Sequence, residues 1–352
     1  MNAFCRLLDH RRYVACSWDL AVDEDGRLYW VEFFKRHLRT ILKLGMETEV
    51  ARGFGHDAVS SRARSCEAEL DAKFDEFVRN PEAFGRVTIL RLDEWRDELL
   101  RKHLFNDAFA ELKHRENAKM LPLLPKVCAQ LDSMSGRAQV LAMVKGVFAG
   151  NIFDMGADAT AKAFLNQSPD FFTTRDNLTP RPWLIDDFDA LADRLESRRH
   201  HKAVFFIDNA GSDFLLGALP MMRWLAMRGT QVVLAANERP TLNDMTIHDV
   251  NAWWGRIIEA EPSLAQLPIQ RVSSGTGEPL IDLSKVSDEL NAASEDADMV
   301  ILEGMGRGVE SNLDAQFNCD ALNVAMLKDV AVSKRVGGKV FDVVCQFRAK
   351  PE

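Results

Sequence analysis

Apolar positions recur at helical spacing from about residue 25 to 165, whereas beyond residue 170 they gather in short runs. Trp95, Leu99, Leu100, Leu104, Phe105 and Phe109 follow one another at helical steps between charged residues, which predicts amphipathic helices. A second stretch, Ala138 to Gly150, sets Val140, Leu141, Val144, Val147 and Phe148 on one side and runs on into AGNIFDMGADA. After the turn-rich SPDFFTTRDNLTPRP come AVFFI (203–207), QVVLAA (231–236), PIQRVSS (268–274), MVIL (299–302) and KVFDVVCQF (339–347), separated by helical stretches. Runs without a polar face suit strands covered on both sides. The pattern therefore predicts an α/β protein: a mostly α-helical domain over 1–170, packed on a Rossmann-like, doubly wound, mainly parallel sheet domain over 171–352.

In such sheets ligands sit outside the carboxyl ends of the strands, so the residues after each run are the candidates for chemistry. Asp208 and Asn209 follow the first run, and an acidic oxygen beside an amide oxygen suits a hard divalent cation. Both are also common helix N-caps, but Ser212 or Asp213 can cap the next helix instead. Asp244, after the second run, can supply a third oxygen, unless it or Thr246 caps the following helix. In EGMGR (303–307), Gly304 and Gly306 let the backbone approach a ligand, and Arg307 offers a planar fork suited to phosphate; the bland alternative is a tight strand-to-helix turn. Ser273 and Ser274 of SSGTGEP are candidate substrate contacts, although a plain loop accounts for them as well. Asn151 and Asp154, three apart on one helix beside small residues, can face the same cleft or simply orient two helices.

Composition narrows the chemistry. With 352 residues, 47% hydrophobic and 28% charged, the chain is an ordinary globular protein with a sizeable core. A net charge of -9 repels phosphate backbones and anionic lipid, so neither nucleic acid nor a membrane is an expected partner; a phosphorylated substrate needs local positive charge. Six scattered cysteines without C-x-x-C spacing suggest buried free thiols, and the absence of an apolar leader or long apolar run points to the cytoplasm. No H-x-x-x-H pair and no G-x-S-x-G elbow occurs, and His200 and His201 are expected to be solvated. Oligomeric state is not readable.

FAGNIFDMGA (148–157), FIDNAGSDFLLGALPMMRWL (206–225), LNDMT (242–246) and EGMGRGVESN (303–312), in this order, resemble the metal-dependent damage-control phosphatases, in particular the phosphopantetheine phosphatase subfamily that also forms the C-terminal part of type-4 pantothenate kinases. FNDAFAELKHREN (105–117) resembles the helical part of that family, whereas the first 60 residues match poorly. The resemblance implies a metal (Mg, Mn, Co or Ni) on Asp208, Asn209 and Asp244, and hydrolysis of phosphate monoesters such as 4′-phosphopantetheine or its oxidised forms. Asp208, Arg307, Glu303, Asn151 and Asp154 would carry catalysis, and Arg307, Gly304, Gly306, Ser273 and Ser274 the substrate. Glu238 and Arg239, and GRGVESN in place of a more usual GRAVHTN, depart from the family pattern and bear on substrate identity. Two competing readings are an S-adenosylmethionine-dependent carboxyl methyltransferase, disfavoured because no glycine-rich turn follows AVFFI, and a non-catalytic metabolite-binding protein.

Overall fold

A computed structural model describes residues 1–152 and 171–351. Helices α1 (Glu24–Ala51), α2 (His56–Arg79), α3 (Ile89–Lys102), α4 (Ala110–Met120), α5 (Leu124–Asp132) and α6 (Gly136–Ile152) precede the sheet. The helix around Trp95 ends sooner than its apolar spacing predicts: Leu104 takes a positive φ of 64° and is 55% exposed. Phe105 and Phe109 then turn back into the apolar cluster that holds Trp30 and Phe34 of α1.

Strands β1 (Ile185–Asp186), β2 (Lys202–Phe206), β3 (Gln231–Ala236), β4 (Ile269–Ser273), β5 (Met299–Glu303), β6 (Asp320–Met326) and β7 (Val343–Arg348) form one sheet in the order β1-β7-β6-β5-β2-β3-β4. The ladders from β6 through β4 are parallel, and β7 runs antiparallel to β6. The α/β class and mainly parallel sheet thus agree with the sequence, with three differences in detail, the first being the two-residue β1, which lies outside the five apolar runs. β6 was not anticipated, because Asp320 and Asn323 interrupt its apolar run; Asn323 is buried and donates to the Gly308 and Asn312 carbonyls at 2.6 and 3.1 Å. KVFDVVCQF contributes a strand only from Val343.

Side chains of β2 alternate between two cores, as the two-residue period of a strand requires. Ala203, Phe205 and Ile207 join α6 and the 213–226 segment, whereas Val204 and Phe206 face Phe4, Val286 and Leu290. The chain start covers this second face: Asn2 bridges to Val286, and the Phe4 ring meets Phe206 edge-on with centroids 5.5 Å apart. The division expected near residue 170 borders the stretch 153–170, outside the described residues. On its N-terminal side, α5 and α6 share one apolar cluster with the sheet.

All six cysteines are free, five of them buried. His200, expected in solvent, is 1% exposed, with Nε2 2.8 Å from an Asp320 oxygen, because it enters β2 beside the start of β6. No helix among the described residues is long and apolar enough to cross a membrane.

Candidate active site

From β2 the chain moves outward through β3 and β4, then returns to β5 on the other side of β2, so the sheet reverses direction between β2 and β5. Asp208 follows β2 and Glu303 ends β5, which puts both at this switch point, where open α/β sheets bind ligands. The loop after β3 is drawn alongside: the Met245 N–H donates to the Asp208 carbonyl and the Ala210 N–H to the Asn243 carbonyl, each at 2.9 Å. This two-stranded bridge pairs Asn209 with Asp244. Thr246, not Asp244, caps the next helix, exchanging hydrogen bonds with Asp249 in a capping box. Ser212 does take the N-cap position of the turn that follows, but without a side-chain cap hydrogen bond; its Oγ instead donates to the Gly150 carbonyl at 3.1 Å.

Arg307 lies at the centre and is 1% exposed. One terminal nitrogen donates to Asp208 Oδ1 and to the Pro279 carbonyl at 3.3 Å; the other donates to Asp244 Oδ2 at 2.6 Å and to Asn237 Oδ1 at 3.0 Å. The guanidinium therefore clamps the two carboxylates together, and its two terminal nitrogens already face protein acceptors. Burial raises the Asp208 carboxyl well above the usual range, with Asp244 and Asp213 adding to the rise, while Arg307 and then Lys328 oppose it. Gly304, at φ +91°, passes directly under Asp208: a Cβ there would lie 2.5 Å from the Asp208 Cγ. Gly306 is equally tight, since its Cβ would come within 2.7 Å of the Pro279 carbonyl oxygen.

Behind the clamp, Asp213 Oδ2 accepts from Asn209 Nδ2 at 2.9 Å and Asn151 Nδ2 at 2.8 Å. Asn151 also approaches Asp208 Oδ2 at 3.4 Å, so it does reach the site. It reaches because Gly150 has no side chain: a Cβ there would meet the Ser212 carbonyl oxygen at 2.8 Å. Glu303 is fully buried and accepts from the Asp208 N–H at 3.3 Å. Burial, then Asp213 and Asp208, push its carboxyl far up. The inner oxygens Glu303 Oε1 and Asp213 Oδ1 lack donors when both groups are ionised, and a proton on Glu303 removes that conflict. π-helical turns, Asp213–Ala218 and Gly306–Glu310, follow β2 and β5; such turns are frequent at functional sites.

Not every sequence candidate arrives here. Ser273 donates to Glu238 and Ser274 contacts Thr276, and neither serine lines the cavity that holds Asp208. Asp154 lies outside the described residues. Several residues without a sequence signal of their own do contribute. Lys113 of α4 pairs with Asp107 at 2.9 Å and Asp249 at 2.6 Å, and Asn117 accepts from the Gly211 N–H at 2.7 Å. FNDAFAELKHREN thus buttresses both loops of the site. Arg96 of α3 pairs with Asp93 and Asp97, each at 2.7 Å, and donates to Thr241 at 3.2 Å, which holds the loop before Asp244. Burial pushes the Asp93 carboxyl up to about 7 against the pull of Arg96, with Asp97 and Asp244 nearby.

Above the clamp opens a cavity of about 320 Å³. Asp208, Asn209 and Asp244 line it, as do Lys328 and, from α1, Tyr29, Phe33 and Arg36. Its size is at the small end of metabolite sites. The carboxylates of Asp208 and Asp244 and the carboxamide oxygen of Asn209 are hard donors that fit a divalent cation, and Arg307 takes only one oxygen of each carboxylate. Among the described residues no three His, Cys, Asp or Glu side chains converge to hold an ion, so a cation here draws on the Asn209 amide as well.

Comparison with known proteins agrees with this architecture. The Damage-control phosphatase ARMT1-like domain matches residues 60–344. Damage-control phosphatase At2g17340 of Arabidopsis thaliana is 40% identical over 281 residues, covering 78% of this chain and 76% of its own length. Pantothenate kinase 2 of the same plant is 34% identical across 99% of this chain, and the 4′-phosphopantetheine phosphatase of Mus musculus 30% identical across 97%. This chain spans only 42% and 48% of those two longer proteins. A DUF89 family protein of Pyrococcus horikoshii has the same fold, with a TM-score of 0.64 at 18% identity, covering 92% of this chain and 98% of that one. By its sequence matches, this chain belongs to the damage-control phosphatase family, in the ARMT1-like domain group.

Proposed function

We propose that this chain is a divalent-metal-dependent phosphatase of small phosphorylated metabolites, with 4′-phosphopantetheine or its oxidised forms as preferred substrate and Mg, Mn, Co or Ni as the ion. The observation that carries the reading is the meeting of Asp208, Asn209 and Asp244 at the sheet's switch point, on the floor of a small cavity. The ion would rest on these three residues. When bound, it supplies positive charge against a phosphate oxygen and offsets the charge of phosphoryl transfer to water.

The chain's own groups do the rest. Arg307 is a positioning residue, holding Asp208 and Asp244 at a fixed separation; this replaces the phosphate fork that its sequence context suggests, because its terminal nitrogens are spent on protein acceptors. Lys328 lines the same cavity, and its charge, which already bears on Asp208, is the positive charge we assign to the phosphate side of the site. Asn151 orients Asp213 and Asp208, and Glu303, held neutral, adds no further negative charge to those of Asp208, Asp244 and Asp213. Residues 304–306 provide the close floor beneath Asp208. The cytoplasm, where the six thiols stay reduced, is the proposed compartment.

The test is phosphate release from 4′-phosphopantetheine and from a generic aryl phosphate by the metal-loaded chain, beside a methyl-transfer control. Phosphate release from both esters, faster for the first, is expected. Methyl transfer without phosphate release, or tight metabolite binding without turnover, would reject the reading.

A further inference from the structure

The alcohol of an alkyl phosphate departs as a strongly basic alkoxide unless its ester oxygen takes up a proton as the P–O bond breaks. Lys328 is assigned to the phosphate, and Glu303, although neutral, does not line the cavity. The carboxyl groups that do line it are Asp93, Asp208, Asp244, Glu310 and Asp329. Arg307 clamps Asp208 and Asp244, and Arg96 pairs with Asp93 at 2.7 Å. Asp329 accepts from the Tyr29 hydroxyl at 2.7 Å and, through its other oxygen, from the Ala331 and Val332 N–H groups. Glu310 differs: among the described residues no hydrogen bond or ion pair engages its carboxyl group.

The backbone nonetheless fixes its place. Glu310 closes the π-helical turn that carries Arg307, and the next two residues pin that turn: Ser311 Oγ donates to the Gly306 carbonyl at 2.7 Å and Asn312 Nδ2 to the Arg307 carbonyl at 3.0 Å. The half-buried side chain lines two cavities at once, the catalytic one and a larger one of about 910 Å³, with Ile89 as the other residue common to both walls. The larger cavity meets solvent beside the exposed Leu8 and Val14, and its charges are of both signs, Asp9 and Asp314 with Arg12 and Arg335. Burial pushes the Glu310 carboxyl well above the usual glutamate range; Asp329, Asp93 and Asp208 add to the rise, and Lys328 opposes it. The group therefore keeps its proton where an ordinary glutamate has lost it.

We propose that Glu310 is a catalytic residue, the proton donor to the departing alcohol, and that the larger cavity is the route by which its proton is replaced. The inference rests on the phosphatase reading above. Water forms the new P–O bond as the ester P–O bond breaks, and the Glu310 proton goes to the departing oxygen, giving the neutral alcohol. One proton of the water stays on the phosphate; the other is given up to solvent, from which the Glu310 carboxylate takes a proton back.

The experiment compares an alkyl ester, 4′-phosphopantetheine, with 4-nitrophenyl phosphate, whose nitrophenolate departs without a proton. It uses the full, metal-loaded chain as wild type, Glu310→Gln, Glu310→Asp and His37→Asn, with a thermal melt of each. His37 of α1 is included because it lines the same cavity and is a second group able to give up a proton. Glutamine matches a protonated glutamate in shape and charge, so Glu310→Gln should melt near wild type; Glu310→Asp keeps an acid if it does not. In Glu310→Gln, kcat for the alkyl ester should fall about 100-fold or more with KM little changed, while kcat for the aryl ester falls less than about threefold. Glu310→Asp should recover part of the loss. Equal losses on both esters, a change in KM alone, wild-type turnover in Glu310→Gln, or the same leaving-group dependence in His37→Asn instead would overturn the proposal. Release from the aryl ester alone by wild type would overturn it as well, because a proton donor serves alcohols. No phosphate release from either ester by wild type would instead remove the phosphatase reading, and the inference with it.

Discussion

Replacing Gly304 by alanine is the sharpest small perturbation of the site. Two effects are superposed. At φ +91° a Cβ is strained whatever space surrounds it, costing about 1–2 kcal/mol. For a chain of 352 residues, with an unfolding entropy of roughly 0.7 kcal/mol/K, that lowers Tm by about 1–3 °C. The second effect is local: the new Cβ would lie 2.5 Å from the Asp208 Cγ, so reaching an ordinary contact of about 3.5 Å requires the carboxylate to move by about 1 Å. A shift of that size in a group that aligns the reacting atoms costs about 100-fold. Gly53 separates the two contributions, since its φ is +96° and nothing lies within 4 Å of an added Cβ. Gly304→Ala and Gly53→Ala should therefore melt within a few degrees of wild type, while only Gly304→Ala loses about two orders of magnitude in kcat/KM for phosphate release. Wild-type kcat/KM in a folded Gly304→Ala would refute the placement of Asp208 in the chemistry.

Two further outcomes follow from the buried charges. Arg307→Ala leaves Asp208 and Asp244 without their guanidinium; losing one partner of a buried pair costs roughly 3–5 kcal/mol, so the metal-free melt should drop by several degrees, and a divalent cation should restore more of it than it adds to wild type. An unaltered melt with weakened inhibition by inorganic phosphate would return Arg307 to the phosphate. Glu303 has a raised pKa in the folded protein, so its contribution to stability is full below the ordinary glutamate pKa of about 4.3 and is lost as pH rises through the folded value. Glu303→Gln stays neutral throughout. In metal-free protein the variant should accordingly gain on wild type as pH rises above the ordinary glutamate range, and a pH-independent difference in Tm would contradict the buried neutral carboxyl.

Much of the framework is legible because it is local. Apolar runs reveal strands buried on both faces, and the residues just after them carry Asp208, Asn209, Asp244 and Glu303. What escapes the sequence depends on contacts between distant segments. Asn323 sits in a buried strand because the carbonyls of Gly308 and Asn312 need a donor, which no periodicity displays. Arg307 reads as a phosphate fork until Asp208, 99 residues away, and Asp244, 63 away, are seen to take up its nitrogens. His200 looks solvated beside His201, yet Asp320 draws it inside. The cavity wall from α1 is likewise invisible locally, since its aromatic stripe has the spacing of any core helix.

The central claim is that a divalent cation on Asp208, Asn209 and Asp244 is needed for phosphate release. The most direct measurement is a titration of metal-stripped protein with Mn²⁺, following bound metal and release from 4′-phosphopantetheine together, for wild type and the isosteric Asp208→Asn. Turnover should appear in proportion to occupancy of one site in wild type, with metal affinity weakening as pH falls because Asp208 must give up its proton. Asp208→Asn should remain folded, bind the ion far more weakly and release little phosphate. Chelator-resistant turnover in stripped wild type, or wild-type turnover in Asp208→Asn, would contradict the account.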